Sequence, residues 1–296
     1  MPTDFSAILP TPVIDPIITK WLSDDMPSFD VGGLVVGSSP ASASLFLKSP
    51  GVFAGKPFFD RVFELLGCTV EWLSCADEEG IYHDPEKSGS GGKIKMAVVK
   101  GPVNKILQGE RTALNTLSRV SGVATASRNA KDIAEKIGWR GSVAGTRKTT
   151  PGFRIAEKYG LLVGGVATHR LDLSQMVMLK DNHIWAEGSI TNAVKMARRA
   201  CGFSAKIEVE CQSLEEGKEA AKAGADIVML DNFEPDALKR DAKELKGEFP
   251  FLTIEASGGI TMDTLGLYLS EDVDVVSSGK LTQGYSCLDY SLKIDR

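Results

Sequence analysis

From about Ser142 onward, short and continuously apolar runs recur along the chain, with polar, helix-patterned stretches between them. The runs are Ser142–Thr146, Met176–Lys180, Ile207–Cys211, Ile227–Asp231, Leu252–Ala256 and Val273–Ser277. Runs this short, with little polar alternation, fit parallel strands buried on both faces. Between them, Ser213-Leu214-Glu215-Glu216 predicts a capped helix start, and Pro235 suits the first turn of another helix. Strand–helix units repeating every ~20 to 35 residues imply a parallel sheet, either wound open or closed as a barrel, and the spacing fits barrel units. No GxGxxG follows any of these strands, which lowers the case for a dinucleotide-binding open sheet.

The first part of the chain reads differently. Residues 1 to 118 mix short segments: GGLVVG at 32–37, SLFLKS at 44–49, VEWLS at 70–74 and KIKMAVVKG at 93–101. Asp84 to Gly92 is rich in Pro, Ser and Gly, offers no apolar anchor, and predicts a mobile surface loop. Ala113, Leu114, Leu117, Val120 and Ala124 form one stripe, so a helix is expected from Glu110 to about Ile137, leading into a second domain. The expected division is an N-terminal domain over 1–118 and a barrel domain over 119–284.

Composition narrows the class without deciding it. The 296 residues are 43% hydrophobic and 25% charged, ordinary values for a soluble globular chain with a sizeable core. A net charge of -5 argues against a general nucleic-acid binder. The cysteines, Cys68, Cys75, Cys201, Cys211 and Cys287, are odd in number and lack CxxC spacing, as expected of reduced thiols in a cytosolic protein. No apolar run approaches the ~18 residues of a membrane span. The start, MPTDFSAILPTP, carries neither a basic n-region nor an apolar h-region. A cytoplasmic location is expected, with no membrane association and no nuclear signal read.

The chemistry concentrates where the apolar runs stop. In order, those ends are Arg147-Lys148, Lys180-Asp181-Asn182-His183, Glu210, Asp231-Asn232, Ser257-Gly258-Gly259 and Ser278-Gly279-Lys280. In barrels of this kind the active site lies at the carboxyl ends of the strands. One polar loop residue means little, but six strand ends on one rim point to a site. Arg147, Lys148 and Lys180 are cations, and His169-Arg170 lies just before the second run. Glu210 and Asp231 are acids near the middle of the array. Carboxylates facing anion-binding groups suggest a hard cation such as Mg²⁺ bridging carboxylate and phosphate oxygens; an ion-pair network without a metal is the structural alternative. Ser257-Gly258-Gly259-Ile260, expected to precede a helix near Thr261, and Ser278-Gly279 after the last strand occupy the usual phosphate positions of barrels. The cations imply a ligand more negative than the protein, carrying phosphates and carboxylates.

GTRKTTPGFR at 145–154, THR at 168–170, LKDNH at 179–183, IEVEC at 207–211, MLDN at 229–232 and EASGGI at 255–260 together resemble the quinolinate phosphoribosyltransferase family. GERTALNTLSRVSG at 109–122 is similar to that family's interdomain helix. The resemblance covers nearly the whole chain and is tightest over 109–283. It implies an open or incomplete α/β barrel with an N-terminal α/β sandwich domain that also takes in the C-terminal tail, 285–296. It implies a homodimer whose barrel sites are each covered by the partner's N-terminal domain; some eukaryotic members assemble further, as hexamers. The implied reaction joins quinolinate to phosphoribosyl pyrophosphate, with Mg²⁺, giving nicotinate mononucleotide, pyrophosphate and CO₂. By the same resemblance Arg147, Lys148, His169 and Arg170 bind quinolinate, with Arg111 reaching in from the partner. Lys180, Glu210 and Asp231 face the phosphoribosyl side, Glu210 and Asp231 with the metal. Ser257, Gly258, Gly259, Ser278 and Gly279 hold the 5′-phosphate.

Three other readings remain open from sequence. A nicotinate or nicotinamide phosphoribosyltransferase would need fewer cations around 147 and 170. A Schiff-base aldolase could use Lys180, although such a lysine usually sits in apolar surroundings. A non-catalytic binding protein on the same scaffold would be expected to have lost Glu210 or Asp231.

Overall fold

The computed structural model describes residues 5–295. The chain forms two compact units: Met1–Arg128 with Thr150–Gly165 and Gly284–Arg296, and Asn129–Thr149 with Val166–Gln283.

The first unit is built on a four-stranded antiparallel sheet. Its strand order is Tyr290–Ile294, Pro40–Leu47, Ile94–Pro102, Thr69–Trp72. The C-terminal strand therefore returns to the edge of an N-terminal sheet, with Ala43 opposite Ile294 and Leu47 opposite Tyr290. Helix Lys56–Leu65 places Phe58, Phe59, Val62 and Phe63 on one buried stripe, and helix Thr11–Asp25 does the same with Ile14, Ile18 and Leu22. These residues share one core with Leu45, Leu47, Met96 and Val99 from the sheet. Layering helices on one face of an antiparallel sheet satisfies both apolar surfaces at once.

The structure fills in or changes several local points. GGLVVG lies in a short helix, Val31–Val36, because the Asp30 carboxylate caps it by accepting from Gly33 N–H at 2.8 Å. The long helix begins at Val103, seven residues before the expected start, and runs to Ile137. Gly109 lies inside it, where a Cβ would fall 2.8 Å from the Phe63 ring, so the glycine serves close packing. The Asp84–Gly92 stretch is a run of turns that does have an anchor. Pro85 is buried, and Asp84 accepts from the N–H groups of Glu86 and Lys87.

The second unit contains six strands, all parallel, in the order Ser142–Ala144, Val275–Ser277, Thr253–Ser257, Ile227–Asp231, Ile207–Cys211, Val177–Leu179. The two end strands are consecutive in sequence. Ala144 bridges to Ala167, but among the described residues no ladder joins Ser142–Ala144 to Val177–Leu179. The barrel is open at that seam, as expected of an incomplete α/β barrel. Ile207, Val209, Val228, Leu230, Ile254 and Val276 are fully or almost fully buried. That accounts for the unbroken apolar runs in the sequence.

Two of the three helix starts expected in this unit are found where the sequence indicates. Ser213 accepts from Glu216 N–H, while the Glu216 carboxylate reaches back to Gln212 N–H, and Pro235 opens the helix ending at Glu248. No helix starts at Thr261. Thr261 N–H is taken by the Thr264 hydroxyl at 3.0 Å, and a turn runs to a four-residue helix, Leu265–Tyr268. A helix dipole therefore does not stand behind the Ser257–Gly259 loop.

Candidate active site

Ligand-type side chains gather at the carboxyl ends of the six parallel strands. Thr146, Arg147, Lys148, His169, Arg170, Met178, Lys180, Glu210, Met229, Asp231, Asn232, Ser257, Gly258, Gly259 and Ser277 line one cavity of about 390 Å³. Every strand contributes either its last residues or the loop that follows. Four cations and two carboxylates face this space, so the cavity is positive although the chain is negative.

The cationic end consists of Arg147, Lys148 and Arg170. Buried Arg147 Nε has no hydrogen-bond partner. Arg170 is only 7% exposed. Burial holds its guanidinium below the usual arginine range, the nearby Arg147 charge adds to that, and Glu208 partly opposes it. A buried donor without an acceptor is costly, and so are like charges held together; an anionic ligand relieves both. Lys148 is held by its backbone: its N–H donates to the Thr146 hydroxyl at 3.1 Å, and its carbonyl accepts from the Thr282 hydroxyl at 2.8 Å.

His169 lies between this end and the barrel interior. Arg170 N–H donates to its Nδ1 at 2.8 Å, and its Nε2 faces the Glu255 carboxylate at 3.0 and 3.2 Å. Glu208 is fully buried, and neither of its carboxylate oxygens has a hydrogen-bond partner. Burial, reinforced by the Glu255 charge, raises the Glu208 carboxyl well above the usual range.

The acidic end is more open. Lys180 forms an ion pair with Glu210, with the lysine side chain 47% exposed and the glutamate 12%. Burial raises the Asp231 carboxyl, and the neighbouring Glu210 charge raises it further. The pair supplies hard oxygen donors whose mutual repulsion a divalent cation would remove, so the donor set fits Mg²⁺. Asp231 accepts from Asn232 Nδ2 at 2.5 Å. Asn232 has φ 60°, and its N–H donates to Ser257 O at 2.9 Å. Gly258, at φ 97°, passes so close to this residue that a Cβ would fall 2.3 Å from Asn232 Oδ1.

Ser278 and Gly279 lie outside this cavity, and Arg111, expected to reach in from a partner, lies outside it too. Ser278 is buried and donates to Ile260 O at 2.6 Å, tying two rim loops together, and neither it nor Gly279 lines the cavity. The adjacent Ser277 does, one position earlier, with its hydroxyl donating to Ser257 Oγ at 3.1 Å. Arg111 is in the first unit, exposed beside Trp21, Asp24, Asp25 and Phe153.

The two halves of the chain match the two domain models of one family. Residues 29–121 match the quinolinate phosphoribosyl transferase N-terminal domain, and residues 123–293 the C-terminal domain. The chain belongs to the quinolinate phosphoribosyltransferase family. It is 50% identical over 293 residues to the rat nicotinate-nucleotide pyrophosphorylase [carboxylating], covering 99% of this chain and 95% of the rat protein. It is likewise 50% identical over 301 residues to the Dictyostelium discoideum protein of the same name, covering 99% of each. Among solved structures, NadC from Streptococcus pyogenes superposes with a TM-score of 0.86 at 36% identity, covering 97% of this chain and 98% of that one. Membership in this family makes sense of a doubly cationic pocket on an open barrel, and of an N-terminal domain with an antiparallel sheet.

Thr146, Met178, Met229 and Ser277 also line the cavity but carried no functional signal in the sequence. Glu208 and Glu255 were also missed. Each lies inside an apolar strand, two residues before a rim residue already singled out, and the period-two alternation of strands puts both side chains on the face of Glu210 and Ser257.

Proposed function

We propose that this chain transfers the phosphoribosyl group of phosphoribosyl pyrophosphate to quinolinate with loss of CO₂, releasing nicotinate mononucleotide and pyrophosphate, a step of de novo NAD biosynthesis. The observation that carries this reading is the cationic end of the cavity, where two neighbouring arginines are held together and a buried guanidinium nitrogen lacks an acceptor. Quinolinate offers adjacent carboxylates to such a pair. An arginine fork grips a carboxylate through two parallel hydrogen bonds, so Arg147 and Arg170, with Lys148, suit a dianion. A unit-charge contact at ~4 Å is worth about 4 kcal/mol at an effective dielectric near 20. Several converging cations can offset the desolvation of a dianion where one could not.

Lys180, Glu210 and Asp231 face the ribose and pyrophosphate in this reading, and Ser257, Gly258 and Gly259 face the 5′-phosphate. Glu210 and Asp231 would hold Mg²⁺, which supplies charge neutralisation for the departing pyrophosphate. As the C1′–oxygen bond breaks, positive charge grows on the ribose, and the pyridine nitrogen forms the new bond at C1′. The N-ribosylated ring is cationic and stabilises the carbanion left at C2 when the carboxylate departs as CO₂; a proton then bonds to that electron pair. The residues present position two anions and stabilise developing charge.

Lys180 is half exposed and ion-paired with Glu210, unlike a Schiff-base lysine in an apolar pocket, and both acids are in place. The active unit proposed is a cytoplasmic homodimer, or a hexamer assembled from such dimers, with the partner subunit's Arg111 completing each site. Calorimetric titration with quinolinate and with nicotinate tests the substrate class. Quinolinate should bind at least about tenfold tighter, equivalent to ~1.4 kcal/mol for its second carboxylate. Equal affinities would favour a monocarboxylate substrate.

A further inference from the structure

His169 is fixed at both ring nitrogens, and the two bonds together settle where its proton sits. Nδ1 accepts from Arg170 N–H at 2.8 Å, so its lone pair is in use. In a neutral imidazole the proton is then on Nε2, which faces Glu255 Oε2 at 3.0 Å and Oε1 at 3.2 Å. The backbone of His169 is left-handed, with φ 55°, an uncommon state for a residue with a Cβ. That conformation folds the ring back onto the N–H of the next residue. The next residue is Arg170, whose guanidinium lines the cavity and is only 7% exposed. Glu255 is 2% exposed and anchors the arrangement from another strand.

Oxygen and nitrogen atoms of His169, Glu208 and Glu255 all lie within 4.8 Å of one another, which invites a metal reading. The hydrogen bonds oppose it. A metal on Nε2 needs the proton on Nδ1, where it would meet the Arg170 N–H, donor against donor. Metal-bound histidines instead donate their second ring N–H to an acceptor.

We infer that Glu255 is a positioning residue for the carboxylate-binding end of the site. By accepting from His169 Nε2–H it locks one tautomer and one ring orientation. The locked ring holds the Arg170 backbone N–H and so sets the direction from which that guanidinium enters the cavity. Glu255 lies two residues before Ser257, so one strand aligns both the carboxylate-binding arginine and the Ser257–Gly259 loop. This inference rests on the proposed binding of quinolinate at Arg147 and Arg170.

The test compares Glu255→Gln, whose amide oxygen still accepts from Nε2–H, with Glu255→Leu, which cannot. In the full-length enzyme, Glu255→Leu should raise the KM for quinolinate about tenfold and leave that for phosphoribosyl pyrophosphate within about twofold. Glu255→Gln should stay within about threefold of wild type for both, since the acceptor rather than the charge does the positioning. The chain has three histidines, so ¹⁵N resonances of the imidazoles at pH 8 are readily assigned with a His169→Gln variant. Wild type and Glu255→Gln should show His169 protonated on Nε2, and Glu255→Leu a mixture of tautomers. An Nδ1-protonated His169 in wild type, an unchanged quinolinate KM in Glu255→Leu, or equal damage from both substitutions would overturn the inference. If Glu255→Leu does not fold, the wild-type tautomer and the Glu255→Gln constants decide. A wild-type enzyme that does not bind quinolinate would instead overturn the proposed substrate, while the tautomer measurement would still report on the positioning contact.

Discussion

Arg147 and Asp231 separate the two ends of the cavity. Arg147 carries a buried Nε without an acceptor, so removing the side chain should remove ligand affinity without leaving a protein acceptor stranded. Arg147→Ala should weaken quinolinate binding at least about tenfold, the scale of one hydrogen bond to a charged group, and change phosphoribosyl pyrophosphate binding by less than about twofold. Equal losses for both ligands in calorimetry would remove Arg147 from the carboxylate role. Asp231 is raised by burial and by Glu210, the electrostatics expected of a carboxylate waiting for a cation. Asp231→Asn should raise the Mg²⁺ concentration needed for half-maximal turnover about tenfold or more, with quinolinate binding nearly intact; an unchanged metal dependence would contradict the assignment. The rim residues were legible because each interrupts an apolar strand with a polar group. Glu208 and Glu255 were not, because a carboxylate inside an apolar strand shows its purpose only when the barrel brings His169 beside it.

Among the elements, the parallel strands were the most readable, because burial on both faces leaves little room for polar residues. Their helices were readable where a side chain captures the first turn, as at Ser213. The Thr261 start failed because two threonine side chains bond each other and the backbone, a local alternative to the helix. The Val103 start was missed because the first turns of that helix precede the apolar stripe, Ala113 to Ala124, from which it was read. Helix Lys56–Leu65 also carries a pH prediction for the first unit. Burial raises the Asp60 carboxyl from 3.8 to about 6, against the opposing bond from Trp72 Nε1 at 2.6 Å and the nearby Lys56 charge. The folded state thus holds this proton more tightly than the unfolded chain does. Its contribution is complete below about pH 4 and is lost as pH rises through about 6. Asp60→Asn removes that titration and keeps an acceptor for Trp72. From pH 4 to 7, urea-unfolding free energies should shift in the variant's favour by about 2–3 kcal/mol relative to wild type. A difference that stays flat across this range would contradict the burial of a titrating Asp60.

For the whole molecule, the fold class was visible in the repeat of strand and helix; the family resemblance implied an incomplete barrel, and the strand pairing locates its open seam between Ser142–Ala144 and Val177–Leu179. The return of Tyr290–Ile294 to the Pro40–Leu47 strand depends on a register that spans almost the entire chain, and local sequence patterns carry no such information. Subunit sharing is tested at this scale. If Arg111 serves the neighbouring subunit's site, Arg111→Ala and Lys180→Ala homodimers should each be nearly inactive. Random co-assembly should then give about half heterodimers, each with one doubly damaged and one intact site, and activity should recover to roughly a quarter of wild type. Verified heterodimers without recovery would place Arg111 in the service of its own subunit. The proposed reaction is measured by release of labelled CO₂ from quinolinate labelled at its 2-carboxylate. Release should occur only when phosphoribosyl pyrophosphate and Mg²⁺ are both present, in step with nicotinate mononucleotide. Release without phosphoribosyl pyrophosphate, or none with all three components supplied to folded enzyme, would contradict it.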